Sequence, residues 1–395
     1  MPIGTPIPWG DDRAVVKFST SVSSEVVSAS FWGRNFMSTD GSKPLHRITD
    51  LQSGAGDQLR IDKFYQLGGT IVPGDSRAVG QEERVRGNGM KMWINQARKP
   101  VGTGGKMSQK RTVHDLRLQV RDKSKVFWSR WFDEELFVYA TGTRGCGSKQ
   151  WLHPRNTGAD VASYDFGGFA GNTLNANPST HVFWPGATGT NVTDNTIASG
   201  DVLTPRQLEY YAYEIQQMTE PLEPIIINGE EMYIFIMSPY QEYIFKAGTA
   251  PAQASSDFWQ MKKYGKSEKD LPWSGVLGKW GQFLLFSHNK IIKTIPSDDN
   301  AIISHNLILG AQAVALAHGD AGEGLHFSWY EEPRDYGNEK VVVTGTMYGV
   351  QKVAFPSDPD DSSSTLRPRG VVVAKLFDGS GSGLRAQVDA GTLSI

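Results

Sequence analysis

The chain has one cysteine in 395 residues, Cys146. That excludes an internal disulfide framework and any cysteine-based zinc cluster, and it fits a reducing compartment such as a cytoplasm. An excess of charge of one sign is lacking too: 40 basic and 42 acidic residues leave a net of -2. Affinity for nucleic acid that rests on a clustered cationic patch is therefore not expected. No apolar run approaches the roughly 20 residues of a membrane helix. The start, Met1 to Pro8, has no basic region followed by an apolar stretch, so no secretory signal is read there. The sequon Asn191-Val192-Thr193 is accordingly expected to stay unmodified.

Catalytic signatures are missing as well. His114, His153, His288, His305, His318 and His326 have no metal-ligand spacing, and a structural role is expected for each. Gly102-Thr103-Gly104-Gly105-Lys106-Met107 lacks the spacing of a phosphate loop, and Met107 stands where a magnesium-binding hydroxyl would be; a flexible loop is expected. There is no Gly-x-Ser-x-Gly elbow. Glu331 and Glu332 could serve a carbohydrate-active enzyme, but neighbours in a strand point to opposite faces and cannot flank one glycosidic bond. Salt bridges, to Arg334 or to another subunit, are the expected use. No cofactor and no metal are expected, and the chain does not read as an enzyme.

What is present is an ordered protein, 39% hydrophobic and 21% charged, with 43 Gly and 11 Trp. Residues 1–56 read as an extended arm with a short helix near Ser24–Phe31; Phe31, Trp32 and Phe36 argue against a frayed terminus. In residues 57–113, strand-like stretches Asp57–Leu67 and Arg84–Arg98 flank a turn-rich tip with Gly68-Gly69 and Pro73-Gly74-Asp75. Charges are dense there, including Glu82, Glu83, Arg84 and Arg98. A long two-stranded ribbon is marginal alone, so it must lie on its own body or on a neighbour.

Thr112–Thr141 reads as a long helix capped by Thr112 and Asp115 and ended by Gly142. Asp133, Glu134 and Glu135 are placed on its less apolar side. Residues 143–200 form a Gly-, Asn- and Thr-rich excursion. A helix starts at Thr204-Pro205, a hairpin turns at Asn228-Gly229 between Ile225–Ile227 and Met232–Met237, and a helix surrounds Gln241–Phe245. A polar, Lys-rich segment runs to Lys269, and Trp280–Ile292 reads as strand. Ile308–His318 reads as a buried or interface helix. Strands are expected at His326–Trp329, Val341–Thr346, Gly349–Ala354 and Gly370–Leu376, with Asp358–Ser364 an exposed loop.

Several segments resemble the major capsid proteins of tailed phages, in the family typified by the N-four-like short-tailed phages. They are Gly74-Asp75 with Gly80-Gln81-Glu82-Glu83, Ile94-Asn95-Gln96-Ala97-Arg98, Lys110-Arg111 with Leu116-Arg117, Trp131-Phe132-Asp133-Glu134, and Ala140 to Gly145. Further on come Leu309-Gly310-Ala311-Gln312-Ala313, Trp329 to Asn338, and Tyr348 to Phe355. Together they run through most of the chain in order.

The resemblance implies an α+β, Hong Kong 97-like capsid fold. Its parts would be an N-terminal arm (1–56), an extended loop or E-loop (57–113), a spine helix (114–142) in a peripheral domain, an excursion (143–204), an axial domain (205–320) and returning peripheral strands (321–395). It implies self-assembly into hexamers and pentamers enclosing double-stranded DNA without sequence-specific binding. A separate scaffolding protein, a portal protein and decoration proteins are the implied partners, with no membrane. The place is the virion, after assembly in the bacterial cytoplasm. Expected inter-subunit contacts are Glu82, Glu83, Arg84, Arg98, Trp93, Phe31 and Trp32. A decoration or tail component is the alternative; a tail fibre would show repeats, and none is found.

Overall fold

A computed structural model describes residues 26, 29–52, 56–146, 151–153, 166–185, 193–227, 229–247, 275–296, 301–320, 326–358, 361–381, 384 and 387. The arm run Ala14–Val16 and the Lys-rich stretch ending at Lys269 lie outside them.

The Ser30 hydroxyl accepts from the Gly33 amide and opens helix α1 (Phe31–Asn35), a few residues later than the expected arm helix; Val26 and Ala29 before it are also helical. Strand β1 (Leu45–Ile48) follows. The ribbon is then formed by β2 (Gln58–Phe64) and β3 (Gly87–Trp93), paired from Gln58↔Trp93 to Phe64↔Gly87. Residues 65–86 between them contain turns but neither strand nor helix.

The chain breaks pairing at Ile94 and continues as β4 (Asn95–Gly105). The expected strand Arg84–Arg98 is thus divided between two sheets. The expected loop Gly102–Lys106 is corrected as well: Gly102–Gly105 is strand, because Gly102 and Gly105 pair with β10 across an irregularity, and the Thr103 hydroxyl donates to the Lys340 carbonyl at 3.0 Å.

Helix α2 (Lys106–Arg111) ends at Thr112, which therefore does not cap the long helix. Asp115 does so instead: its carboxylate accepts from the Arg117 and Leu118 amides at 2.9 and 3.3 Å and opens α3 (Leu116–Thr141). Its 26 residues span about 39 Å at 1.5 Å each. Gly142 closes it at φ 79°, and a Cβ there would lie 2.2 Å from the Asn175 carbonyl oxygen.

Helix α4 (Pro205–Gln217) has Thr204 as its cap, accepting from the Gln207 amide at 3.2 Å, with Pro205 at the first helical position as expected. The expected hairpin joins Ile225–Ile227 to β5 (Glu230–Met237), and α5 (Pro239–Ala247) follows. Trp280–Ile292 is strand only in part, as β6 (Phe283–Ser287) after a short strand Gly278–Trp280.

The clearest correction concerns Ile308–His318. It is not a helix but the end of β7 (Ala301–Leu309) and all of β8 (Val314–His318), every residue of both strands buried. Strands β9 (Phe327–Arg334) and β10 (Glu339–Lys352) form the next hairpin, and β10 merges the two strands expected at 341–346 and 349–354. The expected loop Asp358–Ser364 is largely the hairpin of β11 (Ala354–Asp358) and β12 (Asp361–Pro368). Strand β13 (Val371–Ser380) is the last.

One sheet runs β1-β8-β10-β9, with β4 also on β10; the other runs β6-β5-β7-β13. The C-terminal half of α3, from Trp128 to Ala140, is packed with apolar residues of both sheets, including Leu316 and Val350 of the first and Ile234 and Val373 of the second. The opposite face of the second sheet carries α4 through Leu208, Tyr211 and Ile215. With both faces covered, β7 has no polar side to show, which removes the alternation that marks a half-buried strand.

Candidate assembly surfaces

Among the described residues, the ribbon carries a run of exposed apolar side chains, while others, such as Val113 and Tyr336, are scattered over the body. Phe64, Leu67, Ile71, Val79 and Val85 are 58 to 89% exposed. Sequence reasoning did not single out these side chains, although apolar residues in a turn-rich stretch were the available signal. The paired part of the ribbon is held to its own body along its length. Met90 and Met92 pack on Ala315, Ala317, Val353 and Phe355. Lys63 pairs with Glu220 at 2.7 Å, and the Tyr65 hydroxyl donates to the Pro356 carbonyl at 2.8 Å.

The tip is shaped from within. The Glu83 carboxylate accepts from the Gly68 and Gly69 amides at 2.8 and 2.7 Å, which holds its pKa below the ordinary carboxylate value. Glu82 accepts from the Gly80 amide at 2.8 Å, and Arg84 is exposed beside them. Arg98 is not with this group; it lies on β4 opposite Gly345. Trp93, at the foot of β3, is 38% exposed. Its amide and carbonyl are both bonded to the Asn172 side chain, at 2.9 and 2.8 Å. The seven expected contact residues therefore fall in separate places.

Phe31 and Trp32 belong to the arm, and the arm is fastened to α3. The Asp133 carboxylate accepts from the Ser30 hydroxyl at 2.7 Å and the Phe31 amide at 3.1 Å, while burial raises its pKa. Trp32 is wholly enclosed by the chain's own core, with its ring 5.0 Å from that of Phe137. The surface expected of Trp32 for a neighbour is thus used internally, because the arm needs an apolar anchor. Phe31 stacks on Phe137 and stays partly open.

The acidic run of α3 also needs correction. Glu134 and Glu135 are fully buried. Glu134 is satisfied by Arg130 at 2.9 Å, Lys290 at 2.8 Å and the Leu152 amide at 2.6 Å, and these bonds overcome burial to lower its pKa. Glu135 accepts from the Tyr348 hydroxyl at 2.6 Å, and Tyr348 in turn accepts from the Trp131 indole at 2.7 Å. No cation offsets its desolvation, which pushes its pKa up to about 8. Lys290 and Tyr348 lie more than 150 residues away in sequence, so residue type alone placed these carboxylates on the wrong side.

Glu331 and Glu332 have separate duties. Glu331 accepts from Arg117 at 2.6 Å and from the Trp329 indole at 2.8 Å, whereas Glu332 pairs with Arg334 at 3.5 Å. They do not converge on one space. Among the described residues no group of three His, Cys, Asp or Glu side chains could hold a metal ion, and no helix is long and apolar enough to cross a membrane.

The described residues thus present a ribbon with exposed apolar side chains at its tip. The chain belongs to the phage capsid protein family, whose model matches residues 6–374. It is a structural subunit of a bacteriophage head. It is similar to the capsid of Ralstonia phage GP4 at 27% identity, over 89% of this chain and 91% of that one, with a TM-score of 0.74. The same fold is found in the Cyanophage Pam1 capsid, at 18% identity over 87% of this chain and 91% of that one, TM-score 0.62. It is found again in the acid-stable capsid of Helicobacter pylori bacteriophage KHP30, at 14% identity over 87% and 89%, TM-score 0.58. No curated protein matches.

Proposed function

We propose that this chain is the major capsid protein of an N-four-like tailed phage, with the Hong Kong 97-like division of labour. The ribbon of residues 57–113 acts as the E-loop, α3 as the spine, residues 205–320 as the axial domain and the last strands as the returning part of the peripheral domain. One observation carries the reading: a ribbon whose paired strands are bonded to its own body ends in a tip of exposed apolar side chains. In water such a tip is unfavourable, and contact with a neighbouring subunit removes it from solvent. Weak contacts of this kind, repeated by symmetry, close into hexamers and pentamers and then into a shell around double-stranded DNA.

Charge pairs between Glu82, Arg84 and Arg98 and a neighbour fix register more than affinity. Assembly in the bacterial cytoplasm uses a separate scaffolding protein, with a portal at one vertex and decoration proteins added outside. Negative-stain imaging of the chain co-expressed with its scaffold tests this. Closed shells of uniform size are expected. Protein that only binds preformed heads would make it a decoration component, and a soluble active monomer would overturn the reading.

A further inference from the structure

We propose that the face formed by β4, α2 and the N-terminal half of α3 touches the packaged double-stranded DNA through its phosphates. This contact presupposes the shell reading above and names the part of the chain turned toward the genome. The near-neutral total conceals a local asymmetry. From Arg98 to Lys125 the chain has 9 Lys or Arg and only 2 acids, Asp115 and Asp122, a net of +7 against -2 for all 395 residues. The expectation against a cationic patch rests on the whole-chain total, which averages over position, whereas attraction of a polyanion depends on local density.

The fold gathers these cations. Lys99 of β4 and Lys123 of α3 stand on the walls of one cleft of about 440 Å³, and α2 joins the end of β4 to the start of α3. The Gln109 side chain donates to the Thr103 hydroxyl on the cleft wall at 3.4 Å, which lays α2 beside the cleft. Lys106 and Lys110, four residues apart, share a face of α2. Lys99, Lys106, Lys110, Arg111 and Lys123 are all exposed, and among the described residues no carboxylate pairs with any of them. Other cations of α3 do have acids: Arg117 meets Glu331 at 2.6 Å, and Arg121 and Lys125 meet Asp122 at 3.2 and 3.5 Å. The adjoining β9–β10 hairpin sets Glu331, Glu332, Asp335 and Glu339 against Arg334 and Lys340, which leaves the face at +5.

The two extended segments of the chain have no acid to spare for it. Residues 1–56 hold 5 basic and 5 acidic residues, and residues 58–93 of the ribbon hold 6 basic and 4 acidic ones. Double-stranded DNA instead presents one negative charge per about 1.7 Å of its axis. Contacts to phosphate carry no sequence information, which suits a shell that must accept any segment of the genome.

The test acetylates lysines with limiting sulfo-NHS-acetate in scaffold-filled precursors, in DNA-filled heads and in heads emptied of DNA, with readout by mass spectrometry. Lys106, Lys110 and Lys123 are expected to react at least threefold more slowly in DNA-filled heads than in emptied ones. Equal rates in these two forms, as a covering neighbour would give, would overturn the proposal and leave the shell reading intact. Protection confined to the precursors would assign the face to the scaffold and overturn it too. Independently, the unassembled subunit should bind a duplex of about 30 base pairs, and Lys106→Gln with Lys110→Gln and Arg111→Gln should lower the slope of log affinity against log salt by about 3. An unchanged slope would overturn the proposal. Heads that lack this chain altogether would instead remove the shell reading itself.

Discussion

Glu135 makes the subunit's stability fall as pH rises. In the folded chain its carboxyl is pushed from the ordinary 4.5 up to about 8 by burial, with the Tyr348 hydroxyl as its hydrogen-bond partner. Between those two values the folded state keeps a proton that the unfolded state has released. The contribution is complete below the unfolded pKa and is lost as pH climbs through the folded one. Each unit corresponds to about 1.4 kcal/mol, so ionising Glu135 in place costs about 5 kcal/mol once pH exceeds 8. Glu135→Gln keeps the shape and an acceptor for Tyr348 but cannot ionise.

The measurement is urea unfolding of the unassembled subunit and of the variant at pH 5.5 and pH 8. The stability difference should move in favour of Gln by about 3 kcal/mol over that interval. Lys352, whose pKa burial lowers to about 7, also titrates in this range. It does so with the opposite sign, and in both proteins, so it cancels in the comparison. A difference that does not change with pH would show that Glu135 is not held protonated, and the account of the α3 core would fail.

Three further outcomes are expected. Reversing a tip charge, Arg84→Glu, should lower shell yield with the melting temperature of the subunit unchanged; correctly sized shells at normal yield would show that the tip charges take no part. Gly349→Ala should destabilise the subunit by about 3 kcal/mol or more. The new Cβ would fall 2.0 Å from the Trp93 carbonyl oxygen, where the ribbon joins the sheet, and calorimetry would read the loss. Asp133→Ala should cost about 1 to 2 kcal/mol by removing the acceptor of the Ser30 hydroxyl and the Phe31 amide, seen as faster limited proteolysis before Phe36; an unchanged cleavage rate would count against the arm's attachment.

Much of this was legible in the sequence wherever a local rule decides the structure. Thr204-Pro205 started a helix, Gly142 ended one, and a hairpin turns at Gly229, because each depends on backbone geometry within a few residues. The ribbon was legible for the same reason. Burial on two faces was not, since it is a property of the assembled sheets: Ile308–His318 is Ala-rich and lacks alternation, which suits a buried helix and a doubly covered strand equally. The carboxylates of α3 were misplaced because the groups that satisfy them, Lys290 and Tyr348, are more than 150 residues away in sequence. Among the expected contact residues, Phe31, Trp32, Glu82, Glu83 and Trp93 turned out to have partners within the chain. The apolar tip, which carries the functional reading, was visible only once its lack of cover could be seen.

The central claim is that residues 65–86 are covered by a neighbour in the shell. Hydrogen–deuterium exchange of this segment, in free subunits and in assembled heads, tests it most directly. The account predicts fast exchange in the free subunit and marked protection in the head, while the second sheet stays protected in both. Equal, fast exchange of residues 65–86 in the two states would contradict it.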